Sequence, residues 1–239
     1  LKIIASGGVA AASAALPTKA RAPLEVPPAA MGMLYDTTLC IGCKACVVAC
    51  KESNDRTPDP GPWGEESLYD APLDLNGKTK NIIKLYKDED YRSYMKMQCM
   101  HCVDPACAAA CMLGSLKKDP VTGVVTYNPD YCVGCRYCMM SCPYGIPRYD
   151  WDQTIPYVRK CILCYDRVKT GRQPACTEAC PTQATIFGDR DELIAIAKSR
   201  IRENPGSYAD KVWGEHEIGG TSVIYISDTD LSFLTRGQP

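Results

Sequence analysis

The sequence predicts an α+β fold in which short strands and short helices surround clustered cysteines, and three observations predict it. Sixteen cysteines, against two phenylalanines and two histidines, divide into four groups of four. The run at residues 132–143 reads CVGCRYCMMSCP: Cys132, Cys135 and Cys138 stand at two-residue spacing, Cys142 follows after three residues, and Pro143 stops the chain from folding back. Short strand-like segments separate the groups, and one strongly patterned helix follows the last of them.

The cysteine spacing selects the chemistry. A cystine scaffold is usually a short chain whose cysteines stand apart so that loops close between them. Here neighbouring thiols in C-x-x-C-x-x-C clusters would compete for one partner. Zinc ribbons and knuckles also use C-x-x-C pairs, but two C-x-x-C-x-x-C-x-x-x-C runs do not read as closed four-ligand zinc sites. The same run is the bacterial ferredoxin pattern, in which the fourth cysteine serves the neighbouring cluster. Sixteen thiolates in four groups therefore predict four [4Fe–4S] clusters. At 239 residues the chain is long enough for one or two domains. Its 27 basic and 28 acidic residues leave a formal charge of −1, so nothing suggests a nucleic-acid or acidic-lipid partner.

Residues 1–30 read as an export signal or tether rather than as part of the fold. Residues 3–18 are uncharged and weakly apolar, too short to span a bilayer comfortably, and precede Lys19 and Arg21. LKIIASGG resembles the stretch just after the twin-arginine motif of Tat signals. Pro23 directly after the A-x-A of Ala20, Arg21 and Ala22 is a poor residue for signal peptidase, so a cleaved signal and a retained membrane-surface tether both stay open.

Residues 32–38 (GMLYDTT) read as a strand leading into the first group, Cys40, Cys43, Cys46 and Cys50. Gly42 permits the tight turn between its first two cysteines, and residues 47–49 suit a short helix carrying Cys50 to a second cluster. Residues 51–80, rich in Pro, Gly, Asp and Asn, read as an irregular loop in which Trp63 is an anchoring or partner-facing aromatic. Residues 81–86 (NIIKLY) are a predicted strand, and Lys87, Asp88, Asp90 and Lys96 read as surface charge.

The second group is Cys99, Cys102, Cys107 and Cys111, one loop two residues longer than in the first and stiffened by Pro105. His101 lies inside it; with four cysteines present it reads as a structural residue or as a hydrogen-bond partner of the cluster, not as a ligand. Residues 116–131 predict a hairpin turning at 119–123, with a strand at 124–127. After the run at 132–143, Tyr137, Tyr144, Tyr149 and Trp151 read equally as shields that keep water from clusters and as ordinary core or interface aromatics. The fourth group is Cys161, Cys164, Cys176 and Cys180, its eleven-residue insertion (YDRVKTGRQPA) a polar, basic surface loop with Arg159 and Lys160 beside it. Residues 184–188 are a predicted strand. Asp189 then caps a helix through the D-x-x-E pattern with Glu192, Leu193, Ile196, Ala197 and Ile201 mark its buried face, and Pro205 with Gly206 ends it. Residues 222–226 (SVIYI) are a last strand.

No Gly-rich phosphate loop, nucleophile–base pair or fifth ligand set is present in the sequence. Each predicted cluster has four cysteines, which leaves no open iron for Lewis-acid catalysis. Saturated clusters pass single electrons, so the chain reads as a relay rather than an enzyme by itself. Burying anionic clusters requires backbone N–H···S bonds and nearby cations, for which Arg136, Lys160 and Lys44 are the candidates.

CIGCKACVVAC, CMHCVDPAC, CVGCRYCMMSCPYGIPRYD and CTEACPTQATIFGDRDEL closely resemble the four-cluster iron–sulfur subunits of membrane-associated oxidoreductases. That family includes the electron-transfer subunits of dimethyl sulfoxide reductase, formate dehydrogenase-N and polysulfide reductase; the nearest in look is the iron–sulfur subunit of periplasmic quinone-linked [NiFe] hydrogenase. The resemblance runs from about residue 32 to 193 and keeps all sixteen ligand positions. It implies two nested bacterial dicluster ferredoxin-like modules with loop insertions and short β-hairpins. Residues 31–60 and 155–190 would form the outer module and 95–150 the inner one, with 61–94 an inserted loop and strand and 191–239 a C-terminal helix, strand and tail. By the family pattern Cys40, Cys43 and Cys46 join Cys180 on one cluster, and Cys161, Cys164 and Cys176 join Cys50 on the next. Cys99, Cys102 and Cys107 join Cys142, and Cys132, Cys135 and Cys138 join Cys111.

The resemblance also implies a catalytic partner ([NiFe] hydrogenase, molybdopterin enzyme or multihaem cytochrome) and a polytopic quinone-reactive membrane subunit. The expected location is the periplasmic face of the cytoplasmic membrane, reached folded by a Tat-like route, with attachment through the partner or a retained N-terminus. The rival readings are a free-standing polyferredoxin carrier and a zinc-stabilised scaffold; the export segment and the extra loops favour the complex.

Overall fold

The computed structural model describes residues 22–54, 56, 72, 74–87 and 92–232. The export reading of residues 1–21, and those of Trp63, Asp88 and Asp90, lie outside them. Ala30 is buried and its carbonyl accepts from the Arg190 N–H at 2.8 Å, so residues 22–30 run directly into the fold.

The described residues form the predicted α+β architecture. Its centre is a three-stranded sheet ordered β8–β1–β9, from β1 (Met31–Asp36), β8 (Thr185–Asp189) and β9 (Val223–Ile226). β1 runs antiparallel to β8, with Met33 opposite Phe187, and parallel to β9, with Met33 opposite Val223. Successive side chains on a strand point to opposite faces. Leu34, Ile224 and Ile226 therefore pack with Leu193, Ile194 and Ala197 of α6 (Arg190–Glu203), while Met33, Tyr35, Val223 and Tyr225 face the cysteine-bearing core. Covered on both faces, these strands read as continuous apolar runs rather than as alternating ones.

Three antiparallel pairs complete the sheets: β2 (Ile82–Lys87) with β3 (Arg92–Met97), β4 (Leu116–Lys118) with β5 (Val125–Tyr127), and β6 (Arg148–Tyr149) with β7 (Val158–Arg159). Each cysteine group carries a short helix: α1 (Ala45–Glu52), α2 (Ala106–Ala109), α3 (Tyr137–Ser141) and α5 (Ala175–Glu178). α1 packs against α5 and α2 against α3. The predicted hairpin forms as expected, its turn held by Asp119, whose carboxylate accepts from the N–H groups of Val121 and Thr122.

Three expectations are corrected. The α6 cap is as predicted, Asp189 accepting from the N–H groups of Asp191 and Glu192, but the buried face runs through Arg190, Leu193, Ile194 and Ala197 and leaves Ile196 40% exposed. The insertion between Cys164 and Cys176 is not loop throughout, since it folds α4 (Tyr165–Lys169). Lys96, read as surface charge, is fully buried.

Candidate metal centres

The first and third cysteine groups are built by the same local device. An Asx side chain, Asp36 or Asn128, caps a 3-10 turn (Thr37–Leu39 or Pro129–Tyr131) that delivers Cys40 or Cys132. Two residues on, Gly42 and Gly134 both take φ of 70°, and two further on Lys44 and Arg136 take left-handed φ of 57° and 68° as the residues that cap α1 and α3. Glycine adopts this conformation without steric penalty, and the alternation curls the loop so that its thiols converge. Gly42 has a second reason to be glycine: a Cβ there would lie 2.3 Å from the Tyr94 ring. The second and fourth groups share another device, in which Pro105 or Pro174 starts α2 or α5 and His101 or Leu163 is left-handed two residues after the leading cysteine.

The thiols gather across groups. Burial, then the neighbouring Cys176 and Cys164, push Cys50 up to about 12. Burial pushes Cys46 up to about 11, with Lys96 pulling down and Cys176, Cys40 and Cys180 pushing up. Cys102 is raised by burial and then by Cys99, Cys107 and Cys142. Cys138 is raised by burial, against a hydrogen bond with Tyr149, and then by Cys111, Cys132 and Cys135. Cys43 and Cys135 are exposed. A cavity of about 220 Å³ opens among Cys111, Cys132, Cys135 and Cys138, walled by Leu116, Tyr149 and Val158. A much smaller space, about 10 Å³, lies among Cys50, Cys161, Cys164 and Cys176.

The donors around the sulfurs are mostly backbone and neutral side chains. Leu163 N–H reaches Cys161 Sγ at 3.3 Å and Ile146 N–H reaches Cys142 Sγ at 3.5 Å. Asn54 Nδ2 approaches Cys50 Sγ at 3.8 Å, and the Tyr149 hydroxyl lies 3.2 Å from Cys138 Sγ. Of the four aromatics weighed as shields, Tyr144 and Tyr149 are buried against the cysteines whereas Tyr137 and Trp151 are exposed.

Of the candidate cations, Lys160 is buried, its Nζ donating to the carbonyls of Val125 and Cys161, and its charge favours the Cys107 thiolate. Arg136 is exposed, lines the 220 Å³ cavity and stacks over Trp151 at 4.6 Å. Arg159 is taken by Asp150 at 2.8 Å. His101 is fully buried, and its Nδ1 accepts from the Val125 N–H at 3.0 Å. Burial and the charges of Lys160 and Lys118 hold it neutral. Two lysines went unpredicted as site residues. Lys80 donates to Asn54 and lines the space beside Cys50 and Cys161. Lys96 acts on Cys46 and Cys50.

This donor set fits a polynuclear iron–sulfur centre. Metal ligation requires thiolates, and buried thiols that repel one another ionise only with a strong positive charge among them. Among the described residues no three His, Cys, Asp or Glu side chains close on a single ion, which a zinc site with Zn–S of about 2.3 Å would require. A four-iron body spreads its ligands wider.

A family model described as a 4Fe-4S dicluster domain matches residues 91–190. The chain is 40% identical to the hydrogenase-2 operon protein HybA of Escherichia coli O157:H7, over 84% of this chain and 70% of that protein. It is 36% identical to the nitrate-inducible formate dehydrogenase iron–sulfur subunit of Escherichia coli K12, over 88% and 73%. With the formate dehydrogenase iron–sulfur subunit of Haemophilus influenzae it shares 37% identity, over 86% and 67%. Identity at this level across most of both chains carries more than the cysteines alone: the chain belongs to the family of ferredoxin-like iron–sulfur subunits that includes HybA and the formate dehydrogenase iron–sulfur subunits.

Proposed function

We propose that the chain is the electron-transfer subunit of a periplasmic respiratory complex. It holds four [4Fe–4S] clusters and relays single electrons between a catalytic or cytochrome subunit and a quinone-reactive membrane subunit. The observation that carries this reading is the gathering of thiols from different groups, as when Cys138 is pushed on by Cys132 and Cys135 of its own run and by Cys111 of another. The ligand sets are Cys40, Cys43, Cys46 and Cys180; Cys50, Cys161, Cys164 and Cys176; Cys99, Cys102, Cys107 and Cys142; and Cys111, Cys132, Cys135 and Cys138. These sets make two nested modules, the outer at 31–60 and 155–190 and the inner at 95–150. The β1–β8 pairing and the α1–α5 and α2–α3 contacts support that nesting.

When bound, the clusters supply one-electron chemistry. The chain's own residues ligate them, exclude water and place charge: the thiols bind, Tyr144 and Tyr149 cover, and Lys160 balances charge. The names of the relatives associate them with hydrogenase-2 and formate dehydrogenase, which supports a catalytic partner here. Exposed Met112, Leu113 and Val133 line the cavity at one thiol set, and contiguous exposed apolar surface supports a partner contact there. Among the described residues no helix is long and apolar enough to cross a membrane. In this reading attachment is through the membrane subunit or a retained N-terminal segment. Export is assigned to a Tat-like route.

The test is iron and sulfide analysis of the purified chain with electron paramagnetic resonance of the reduced protein. The reading expects about sixteen irons per chain on a four-cube count. It also expects Cys142→Ser to alter the signal of the cluster held by Cys99, Cys102 and Cys107, not that of the run in which Cys142 lies. A colourless zinc protein overturns it. A stable monomer that alone reduces many acceptors replaces it with the polyferredoxin carrier.

A further inference from the structure

Lys96 is a charged side chain with no water around it. It sits on β3 with 0% exposure, and its Nζ lies 3.7 Å from Met33 Sδ. Among the described residues no carboxylate pairs with it. A buried ammonium without a counter-charge is strongly unfavourable, so its partner must be sought among the groups that enclose it. Those groups are sulfurs. Met33 lines the space shared by Cys50, Cys161, Cys164 and Cys176, and it packs in one core with Cys46. Its side chain hydrogen-bonds to Cys176, and its charge acts on Cys46 and Cys50. The strand cannot easily withdraw that charge, because Lys96 is opposite Ile83 in the β2–β3 ladder and its carbonyl accepts from the Tyr225 hydroxyl at 2.9 Å.

We propose that Lys96 is a fixed counter-cation shared by the two metal centres of the first and fourth cysteine groups, so that one side chain raises the reduction potential of both. A cation near a cluster favours the reduced form, which carries one more negative charge. This rests on the four-cluster reading above and deepens it, since Cys46 belongs to one proposed ligand set and Cys50, Cys161 and Cys176 to the other.

The experiment is a potentiometric titration of the cluster-loaded full chain, followed by electron paramagnetic resonance, in the wild type, Lys96→Gln and Lys96→Arg. At a fixed poise Lys96→Gln is expected to lower the reduced-to-oxidised ratio of two of the four clusters at least about tenfold, equivalent to about 59 mV for one electron. The other two stay put, and Lys96→Arg stays near wild type in all four. Unchanged potentials throughout, or four equal shifts, overturn the proposal. If Lys96→Gln fails to load iron, Lys96→Arg decides: a loaded arginine variant supports a requirement for charge, and failure of both counts against it, because a lysine needed only for packing behaves that way. The wild-type iron count reports separately on the four-cluster reading, which can fail while the clusters present still respond to Lys96.

Discussion

Asp36 joins the metal site to the rest of the fold, and its removal gives the sharpest stability test. The side chain is fully buried at the end of β1. One carboxylate oxygen accepts from the Thr38 N–H at 3.1 Å and the Thr38 hydroxyl at 2.6 Å, capping the 3-10 turn that delivers Cys40. The other accepts from Arg200 Nη1 at 2.9 Å and from the Tyr208 hydroxyl at 3.0 Å. In Asp36→Ala, loss of the cap is worth about 1 kcal/mol, and the two bonds to the charged oxygen about 1.5 kcal/mol each at the lower end of their range. The Arg200 side chain is 26% exposed and regains some water. The expected loss is therefore about 3 kcal/mol, and about half that for Asp36→Asn, which keeps a neutral acceptor for Thr38. Guanidinium unfolding followed in parallel by far-UV circular dichroism and visible absorbance measures it, where coincident transitions license a free energy. A loss for Asp36→Ala within about 0.5 kcal/mol of wild type, or an asparagine variant as damaged as the alanine one, would refute the reasoning.

Three further outcomes are expected. Leu193→Ala empties a fully packed site between α6 and the sheet and should cost about 3 kcal/mol, whereas Ile196→Ala, on the exposed side of the same helix, should stay within about 0.5 kcal/mol; thermal unfolding of the pair checks the phase of the helix. Gly42→Ala combines left-handed strain of about 1–2 kcal/mol with a collision against Tyr94, and should lower the iron content and visible absorbance of the purified chain while circular dichroism stays near wild type. Burial pushes the Asp119 carboxyl up, but hydrogen bonds from Tyr165 and Thr122 outweigh it and hold it at about 2. A carboxylate depressed in the folded state stabilises above its ordinary range near 4 and loses that contribution as pH falls from about 4 to about 2. The stability gap between wild type and Asp119→Asn should accordingly close over that interval, only modestly in size because the group is largely solvated.

The parts legible in the sequence are those fixed by local geometry. Cysteine spacing, the left-handed Gly42, the Asp189 cap and the hairpin around Asp119 each depend on residues within a few positions, and the structure carries all of them. The parts missed depend on tertiary placement. β3 reads RSYMKM, and its lysine suggests an exposed edge. In the fold Lys96 points instead into a core whose polarity is set by distant sulfurs. The α6 face was displaced for a related reason. Arg190 occupies its first buried position because the guanidinium donates to the carbonyls of Thr221 and Glu215, so a charged residue opens a stripe that periodicity expects to be apolar. β6 and β7 have two residues each and carry no pattern at all.

Charge placement around the thiols follows tertiary neighbours rather than cysteine pattern. The first and third groups share their capping residue type, glycine conformation and left-handed basic residue, yet differ in what faces their sulfurs. Cys46 and Cys50 are more than nine-tenths covered from solvent, and Lys96 supplies a cation from inside the core. Cys138 is buried as deeply but borders an open cavity that the exposed Arg136 lines, and its first partner is the Tyr149 hydroxyl. An anionic centre beside an open cavity is stabilised by water, a surface cation or a docked partner, whereas one sealed in the core requires a permanent cation. Identical ligand motifs can therefore hold centres of different potential within a single chain, and the difference lies in residues such as Lys96 that no cysteine motif contains.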